Sequence, residues 1–548
     1  MTEATVRPAL VVEGLAVTLG RGVHRRRVVS DVSFTVAPGK AVALVGESGS
    51  GKSVTARSLV GLAGDGADVT ARALRYGNID LSALDERAWR RLRGKDIGFV
   101  LQDALVSLDP LRVVGDEIAE ALAAHGWGTA ASRKRRVLEL LDSVGIPEPE
   151  LRARQRPDQL SGGLRQRALI ATALALDPPI LIADEPTTAL DTTVQAQILA
   201  LLETIKQRGT GLLIISHDLA VVSRIADEVV VLNHGEAMEQ GPTAEVLSRP
   251  RHAYTRLLIN SVPGARPRKP RAAPATTETV LEADGLVKSY VGPDGVDRVA
   301  VDDVGFALKA GRTIGIVGES GSGKSTTARI ALGLLDPDHG AVRFDGAPWA
   351  GSGEARVRER DRRRQRPHLG VVYQDPLSSF DPRWTVAEIL GDALDAGGVP
   401  AAEHATRIGE LLERVRLPVE TAGRRPLQLS GGQRQRIAIA RSLAASPKVI
   451  VCDEPVSALD VSVQAQVLEL LDELQRETGV AYLFISHDLG VIRQVSDEVL
   501  VMFGGRVVER GPTEEVLGNP QHLFTQKLVA AIPAHVAGLD AVGASLPG

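Results

Sequence analysis

Ala41-Val-Ala-Leu-Val-Gly-Glu-Ser-Gly-Ser-Gly-Lys-Ser53 runs five apolar residues into a loop with glycines at 46, 49 and 51, then a lysine and a serine that open a helix-like stretch. It fits the phosphate-loop pattern G-x-x-x-x-G-K-[ST] in the strand–loop–helix context that this pattern requires. The glycines let backbone N–H groups turn toward a polyphosphate, and the start of a helix adds positive potential. Lys52 would meet the β- and γ-phosphates and Ser53 a Mg²⁺ ion, with Gly46, Ser48, Gly49 and Gly51 forming the cradle. A strand–loop–helix of this kind is one building unit of an α/β fold.

The motif occurs twice. TIGIVGESGSGKS at 313–325 repeats it with Gly318, Ser320, Gly321, Gly323, Lys324 and Ser325, followed by Thr326. Other segments recur in the same order: GFVLQDALVSLDP as GVVYQDPLSSFDP, LSGGLRQR as LSGGQRQR, LIADEPTTALD as IVCDEPVSALD, and LLIISHDLAVV as YLFISHDLGVI. Lys52 and Lys324 lie 272 positions apart (324 − 52), Ser161 and Ser430 lie 269 apart (430 − 161), and His217 and His487 lie 270 apart (487 − 217). So constant a register predicts two homologous domains, 1–260 and 280–535, joined by a linker at 261–279 and ending in a tail at 536–548. The linker is rich in Pro, Ala, Thr and Arg and reads as a solvated tether whose basic residues are Arg266, Arg268, Lys269 and Arg271.

Within each domain, short β-branched runs at 41–45, 180–183, 212–215, 449–452 and 482–485 alternate with helical periodicity at 193–206 and 462–475. This is the pattern of a mostly parallel sheet covered by helices. The stretches at about 115–175 and 385–445 read as mostly helical.

The 548 residues are 44% apolar and 24% charged, enough to bury a large core, and a net charge of −4 lacks the positive field of many nucleic-acid binders. The Arg-rich runs at 87–96 and 356–367 read as exposed helix faces, and no nucleic-acid partner is expected. No stretch approaches about 18 uninterrupted apolar residues, so no membrane-crossing helix is expected. Cys452 is the only cysteine, which excludes an intrachain disulfide and a cysteine-ligated iron–sulfur cluster.

Asp184-Glu185 and Asp453-Glu454 end apolar runs, which places paired carboxylates at the carboxyl edge of a sheet, where α/β folds bind ligands. The aspartates can hold Mg²⁺, and the glutamates can polarise an attacking water. Gln102 and Gln374 follow GFVL and GVVY, and His217 and His487 follow LIIS and LFIS. The glutamines can reach metal or water, and the histidines can hydrogen-bond a γ-phosphate.

With LSGG at 160–163 and 429–432 added, the whole chain resembles two nucleotide-binding domains of the ATP-binding cassette (ABC) superfamily. The resemblance implies a RecA-like parallel-sheet core, a helical subdomain and an antiparallel β subdomain in each half. It also implies ATP and Mg²⁺ at two sites formed head to tail. The first would combine Lys52, Ser53, Gln102, Asp184, Glu185 and His217 with Ser430, Gly431 and Gly432. The second would combine Lys324, Ser325, Gln374, Asp453, Glu454 and His487 with Ser161, Gly162 and Gly163. Asp191 and Asp460 match the loop that couples the sites, and Tyr290 matches the aromatic position that stacks on adenine, where the first half has Leu19. Leu164 stands where the second signature has Gln433, which predicts one polar contact fewer at the second site.

The tails RPRHAYTRLLINSVP and NPQHLFTQKLVAAIP are similar to those of ATPases of the dipeptide, oligopeptide and nickel importer family, although HAYT and HLFT depart from the usual HPYT. That resemblance implies ATP hydrolysis driving solute import at the cytoplasmic face of the inner membrane. It also implies docking near Gln102 and Gln374 on two integral membrane permease subunits, with an extracellular or periplasmic binding protein delivering the solute. A tandem-cassette ATPase acting on ribosomes is the alternative; such proteins usually have a long charged linker and lack the histidines present here at 217 and 487.

Overall fold

The computed structural model describes residues 8–22, 25–102, 107–188, 190–264, 278–291, 295–457 and 459–530. Contacts divide them into two compact units that meet in sequence between Asn260 and Ser261. The basic linker residues Arg266, Arg268, Lys269 and Arg271 and the tail at 536–548 lie outside the described residues.

In the first unit a six-stranded sheet has the spatial order Glu236–Pro242, Glu228–Asn233, Ala41–Val45, Gly211–Ser216, Ile180–Asp184, Ile97–Val100. Every neighbouring pair is parallel except the first two strands, which form an antiparallel hairpin. The central strands Ala41–Val45, Gly211–Ser216 and Ile180–Asp184 are near-continuous apolar runs because both of their faces are covered, whereas the edge strand Glu236–Pro242 is polar and largely exposed. Ile180, Ile182, Leu213 and Ile215 pack toward the antiparallel strands Leu10–Leu19 and Arg26–Val36, while Leu181, Ala183, Leu212 and Ile214 pack against helices. One-residue alternation along a strand thus feeds two separate cores.

A second sheet in the same unit pairs Leu10–Leu19 antiparallel with Arg26–Val36, Asp68–Thr70 and Ala73–Tyr76. The expected helical region appears as Val114–Ala124, Ala130–Ser143, Pro149–Arg152 and Gly162–Ala173. The second unit repeats the plan, its sheet ordered Leu369–Val372, Val449–Asp453, Ala481–Ile485, Thr313–Gly318, Glu498–Phe503, Arg506–Pro512. Its antiparallel sheet begins with Thr279–Val291, so residue 279, read as linker, already belongs to a strand.

Most arginines of the two Arg-rich runs are exposed as expected, Arg87, Arg90 and Arg91 on the helix Glu86–Leu92, but Arg93, Arg362 and Arg366 are not free surface charges. Arg93 donates to Val60 O at 2.7 Å and Gly61 O at 3.1 Å, the carbonyls left open where the helix after the phosphate loop ends. Its counterpart Arg366 donates to Leu332 O and Gly333 O. Their guanidinium carbons lie 5.7 and 5.1 Å from the ring centroids of Trp89 and Trp349. Arg362 is buried and donates to Trp349 O. These charges clamp the structure behind each phosphate loop, a role that sequence read as a charge run cannot reveal.

Candidate nucleotide site

Parallel strands that end at one sheet edge deliver consecutive chemistry there. Gly46 follows the central strand Ala41–Val45, and its φ of 151° admits only glycine comfortably. A Cβ at that position would stand 2.1 Å from Leu232 O, so the loop turns directly against the neighbouring strand. Gly51, at φ 98°, precedes the helix Lys52–Ser58, and a Cβ there would meet Val28 O at 2.8 Å. Gly49 instead borders open space, and Ser48 beside it is exposed, so the crown of the loop faces outward. Gly318, Gly323, Ser320 and Gly321 repeat this arrangement before the helix Lys324–Ala331, in which Ser325 and Thr326 follow the lysine.

Lys52 is buried and donates from Nζ to Gly46 O at 2.7 Å and Glu47 O at 2.8 Å; Lys324 does the same to Gly318 O and Glu319 O, both at 2.7 Å. Ser53 Oγ donates to Asp184 Oδ1 at 3.0 Å. Asp184 is fully buried, and its Oδ2 has no hydrogen-bond partner among the described residues. Burial pushes its carboxyl above the ordinary range, and the charge of Glu185 adds to this against the Ser53 hydrogen bond. Asp453 is raised for the same two reasons. An oxygen-rich, buried, incompletely satisfied carboxylate beside a serine hydroxyl fits a hard divalent cation.

Glu185 adopts φ 49° and Glu454 φ 48°, left-handed backbone unusual for a non-glycine residue. The turn aims each carboxylate at its neighbours. Glu185 Oε2 accepts from Gln102 Nε2 and Thr188 Oγ1, both at 2.9 Å, and Oε1 lies 3.3 Å from His217 Nδ1. Glu454 Oε2 accepts from Gln374 Nε2 at 3.1 Å and lies 3.1 Å from His487 Nδ1. Burial pushes both glutamates up, but the histidine hydrogen bond and charge outweigh it and hold them below the ordinary carboxylate range. His487 is the converse: burial lowers it, and Glu454 raises it further than that.

Within each unit the structure therefore gathers the phosphate-loop lysine and serine, the Asp–Glu pair, the glutamine and the histidine. The sequence reading did not anticipate that glutamine and histidine would both meet the glutamate, nor that Thr188 would join them. The hydroxyl three residues after Glu185 in EPTT was the available signal.

Ser161 and Ser430 cap the helices Gly162–Ala173 and Gly431–Leu443. A Cβ on Gly163 or Gly432 would fall 2.5 or 2.4 Å from Val194 or Val463 Cγ1, so these glycines permit close packing on the next helix; Gly162 and Gly431 are less confined. The Leu164/Gln433 difference also has a consequence within the helix cap itself. Gln433 Oε1 accepts from Ser430 N at 3.0 Å and Ser430 Oγ from Gln433 N at 3.3 Å, a reciprocal cap that Leu164 cannot complete. Asp191 caps the helix Thr192–Gln207 through Val194 N at 2.9 Å, and Asp460 precedes Val461–Thr478. Tyr290 lies opposite Arg298 near the end of its strand with 43% of its surface exposed, and Leu19 lies opposite Arg26 at the matching place.

A parallel sheet presenting a phosphate loop, a strand-end Asp–Glu pair, a glutamine and a histidine defines a cassette-type ATPase. The family model described as ABC transporter matches residues 29–188 and 301–457, and the chain belongs to that family. A second model, oligopeptide/dipeptide transporter, C-terminal region, matches 238–285 and 508–547. The chain is 44% identical to the peptidoglycan transport ATP-binding protein YejF of Agrobacterium fabrum, across 97% of both chains. It is 41% identical to the glutathione import ATP-binding protein GsiA of Salmonella typhimurium, across 97% of this chain and 90% of that protein. An archaeal ribosome recycling factor, solved in complex with a ribosomal stalk protein, is 22% identical over 89% of this chain and 88% of its own, with a TM-score of 0.59, and shares the fold.

The protein is thus an ATP-binding, ATP-hydrolysing transporter subunit that works with membrane permease partners. Among the described residues no helix is long and apolar enough to cross a membrane.

Proposed function

We propose that the chain powers import of peptides, or of a peptide-like solute such as glutathione, through two separate integral membrane permease subunits. It would sit peripherally at the cytoplasmic face of the inner membrane, with an extracellular or periplasmic binding protein delivering the solute. The observation that carries this reading is the oligopeptide/dipeptide-type tail following the last strand in both halves. The peptide-related names of the relatives at 44% and 41% identity support it.

Two composite sites do the work. The first joins Lys52, Ser53, Gln102, Asp184, Glu185 and His217 to Ser430, Gly431 and Gly432. The second joins Lys324, Ser325, Gln374, Asp453, Glu454 and His487 to Ser161, Gly162 and Gly163. Loop N–H groups and the lysine bind the phosphates, with the lysine exchanging its two carbonyl partners for phosphate oxygens. Ser53, Asp184 and Gln102, and equally Ser325, Asp453 and Gln374, are the residues to hold Mg²⁺, which when bound neutralises developing charge on the phosphates. Glu185 and Glu454, kept ionised, accept a proton from the attacking water. His217 and His487 orient those carboxylates and reach the γ-phosphate. Asp191 and Asp460 couple the two sites, and Tyr290 supports adenine.

Purifying the tagged E185Q/E454Q chain from detergent-solubilised cells with ATP and Mg²⁺, then identifying its companions by mass spectrometry, tests the reading. Two multispanning permeases with a binding protein are expected. Ribosomal proteins in their place would overturn it in favour of a ribosome-acting ATPase.

A further inference from the structure

The tail matched to the oligopeptide-type region does more in the first unit than close the fold. Glu239 accepts from Arg251 N at 2.8 Å and His252 N at 3.0 Å, which fixes the start of the tail helix Ala253–Asn260. Tyr254 on that helix is half-buried, and its hydroxyl accepts from Glu47 N at 3.2 Å, inside the phosphate loop. Lys52 holds the carbonyls of Gly46 and Glu47. Two side chains, one next to the loop in sequence and one 207 positions away, thus meet at Glu47, Lys52 on its carbonyl oxygen and Tyr254 on its N–H.

The second unit keeps the latch and loses the contact. Glu509 accepts from Gln521 N at 2.8 Å and His522 N at 3.0 Å, just as Glu239 does. Phe524 stands where the first tail has Tyr254 and carries no hydroxyl. Its ring packs instead on Phe503, centroid to centroid 4.4 Å, where the first unit has Asn233 at the matching strand end.

We infer that Tyr254 is a positioning residue that orders the first phosphate loop for nucleotide, making the first site bind more tightly than it would with a phenylalanine there. Among the described residues, the second tail supplies no such anchor. A loop whose N–H groups are held in place loses less freedom when phosphate arrives, so the hydroxyl contributes to affinity without touching the nucleotide. This rests on the two-site reading above.

The test measures ADP binding to the full chain by calorimetry in two backgrounds. K324A leaves only the first site competent, and K52A only the second. Y254F should weaken ADP about two- to tenfold in the K324A chain, the span of one neutral hydrogen bond. It should leave ADP binding by the K52A chain unchanged, and any shift in melting temperature should be equal in the two backgrounds. Equal weakening in both backgrounds, or none in K324A, overturns the inference. Absence of ADP binding in both backgrounds before Tyr254 is changed would overturn the nucleotide-site reading itself, and the inference with it.

Discussion

Glu185 and Glu454 each sit on left-handed backbone, half-buried and yet held ionised, with a glutamine and a histidine on the carboxylate. A group kept charged inside a fold at backbone cost has a task beyond stability. E185Q and E454Q, measured separately, should each lower ATP turnover. The paired variant should fall by roughly 10²- to 10⁴-fold, the usual worth of a positioned general base. Full activity in either single variant would make that site degenerate.

The His487–Glu454 pair also carries a pH signature. Glu454, lowered on folding, adds stability that is present above the ordinary carboxylate range and lost as pH falls through its folded value. His487, raised on folding, adds stability present below the ordinary imidazole range and lost as pH rises through its folded value. The pair therefore contributes most between roughly pH 4.3 and 6.5. The melting-temperature gap between the parent chain and H487Q should be widest there and narrow toward pH 9; a gap independent of pH would contradict the pairing.

Helix ends carry the difference between the two signatures. Ser430 and Gln433 cap each other reciprocally, whereas Ser161 accepts from Leu164 N at 3.4 Å with nothing returned. L164Q should complete the second half of that cap and stabilise the first cassette by about 0.5–1 kcal/mol. Its melting transition should then rise by roughly 1–4 °C, with little change in ATP affinity at the second site. A large gain in affinity without a thermal shift would restore Gln433 to a ligand-facing role. The arginine clamps belong to the same scale: Arg93 and Arg366 donate to carbonyls just past the end of each phosphate-loop helix.

At the scale of the whole chain, two units with the same sheet order and their own cores stand in one polypeptide. If each signature serves the other unit's phosphate loop, the covalent join acts as a high effective concentration. Co-expressed halves cut between Asn260 and Thr279 should then lose specific ATPase activity on dilution, while the intact chain should not. Activity of the cut protein that is independent of concentration would argue against shared sites.

Much of this was legible in the one-dimensional chain. The doubled phosphate loop, the strand-end carboxylates and the register of about 270 residues needed only local spacing, because a loop–helix turn and an apolar strand are specified by neighbours in sequence. The tails were legible too, through HAYT and HLFT. What only the tertiary structure decided are contacts between segments far apart in the chain. Gln102 meets Glu185 across 83 positions, Arg93 meets Val60 across 33, and Tyr254 meets the phosphate loop across 207. In each case a polar group takes the partner that folding brings within hydrogen-bond reach, and burial makes that choice costly to leave unmade. No local pattern encodes which partner that will be.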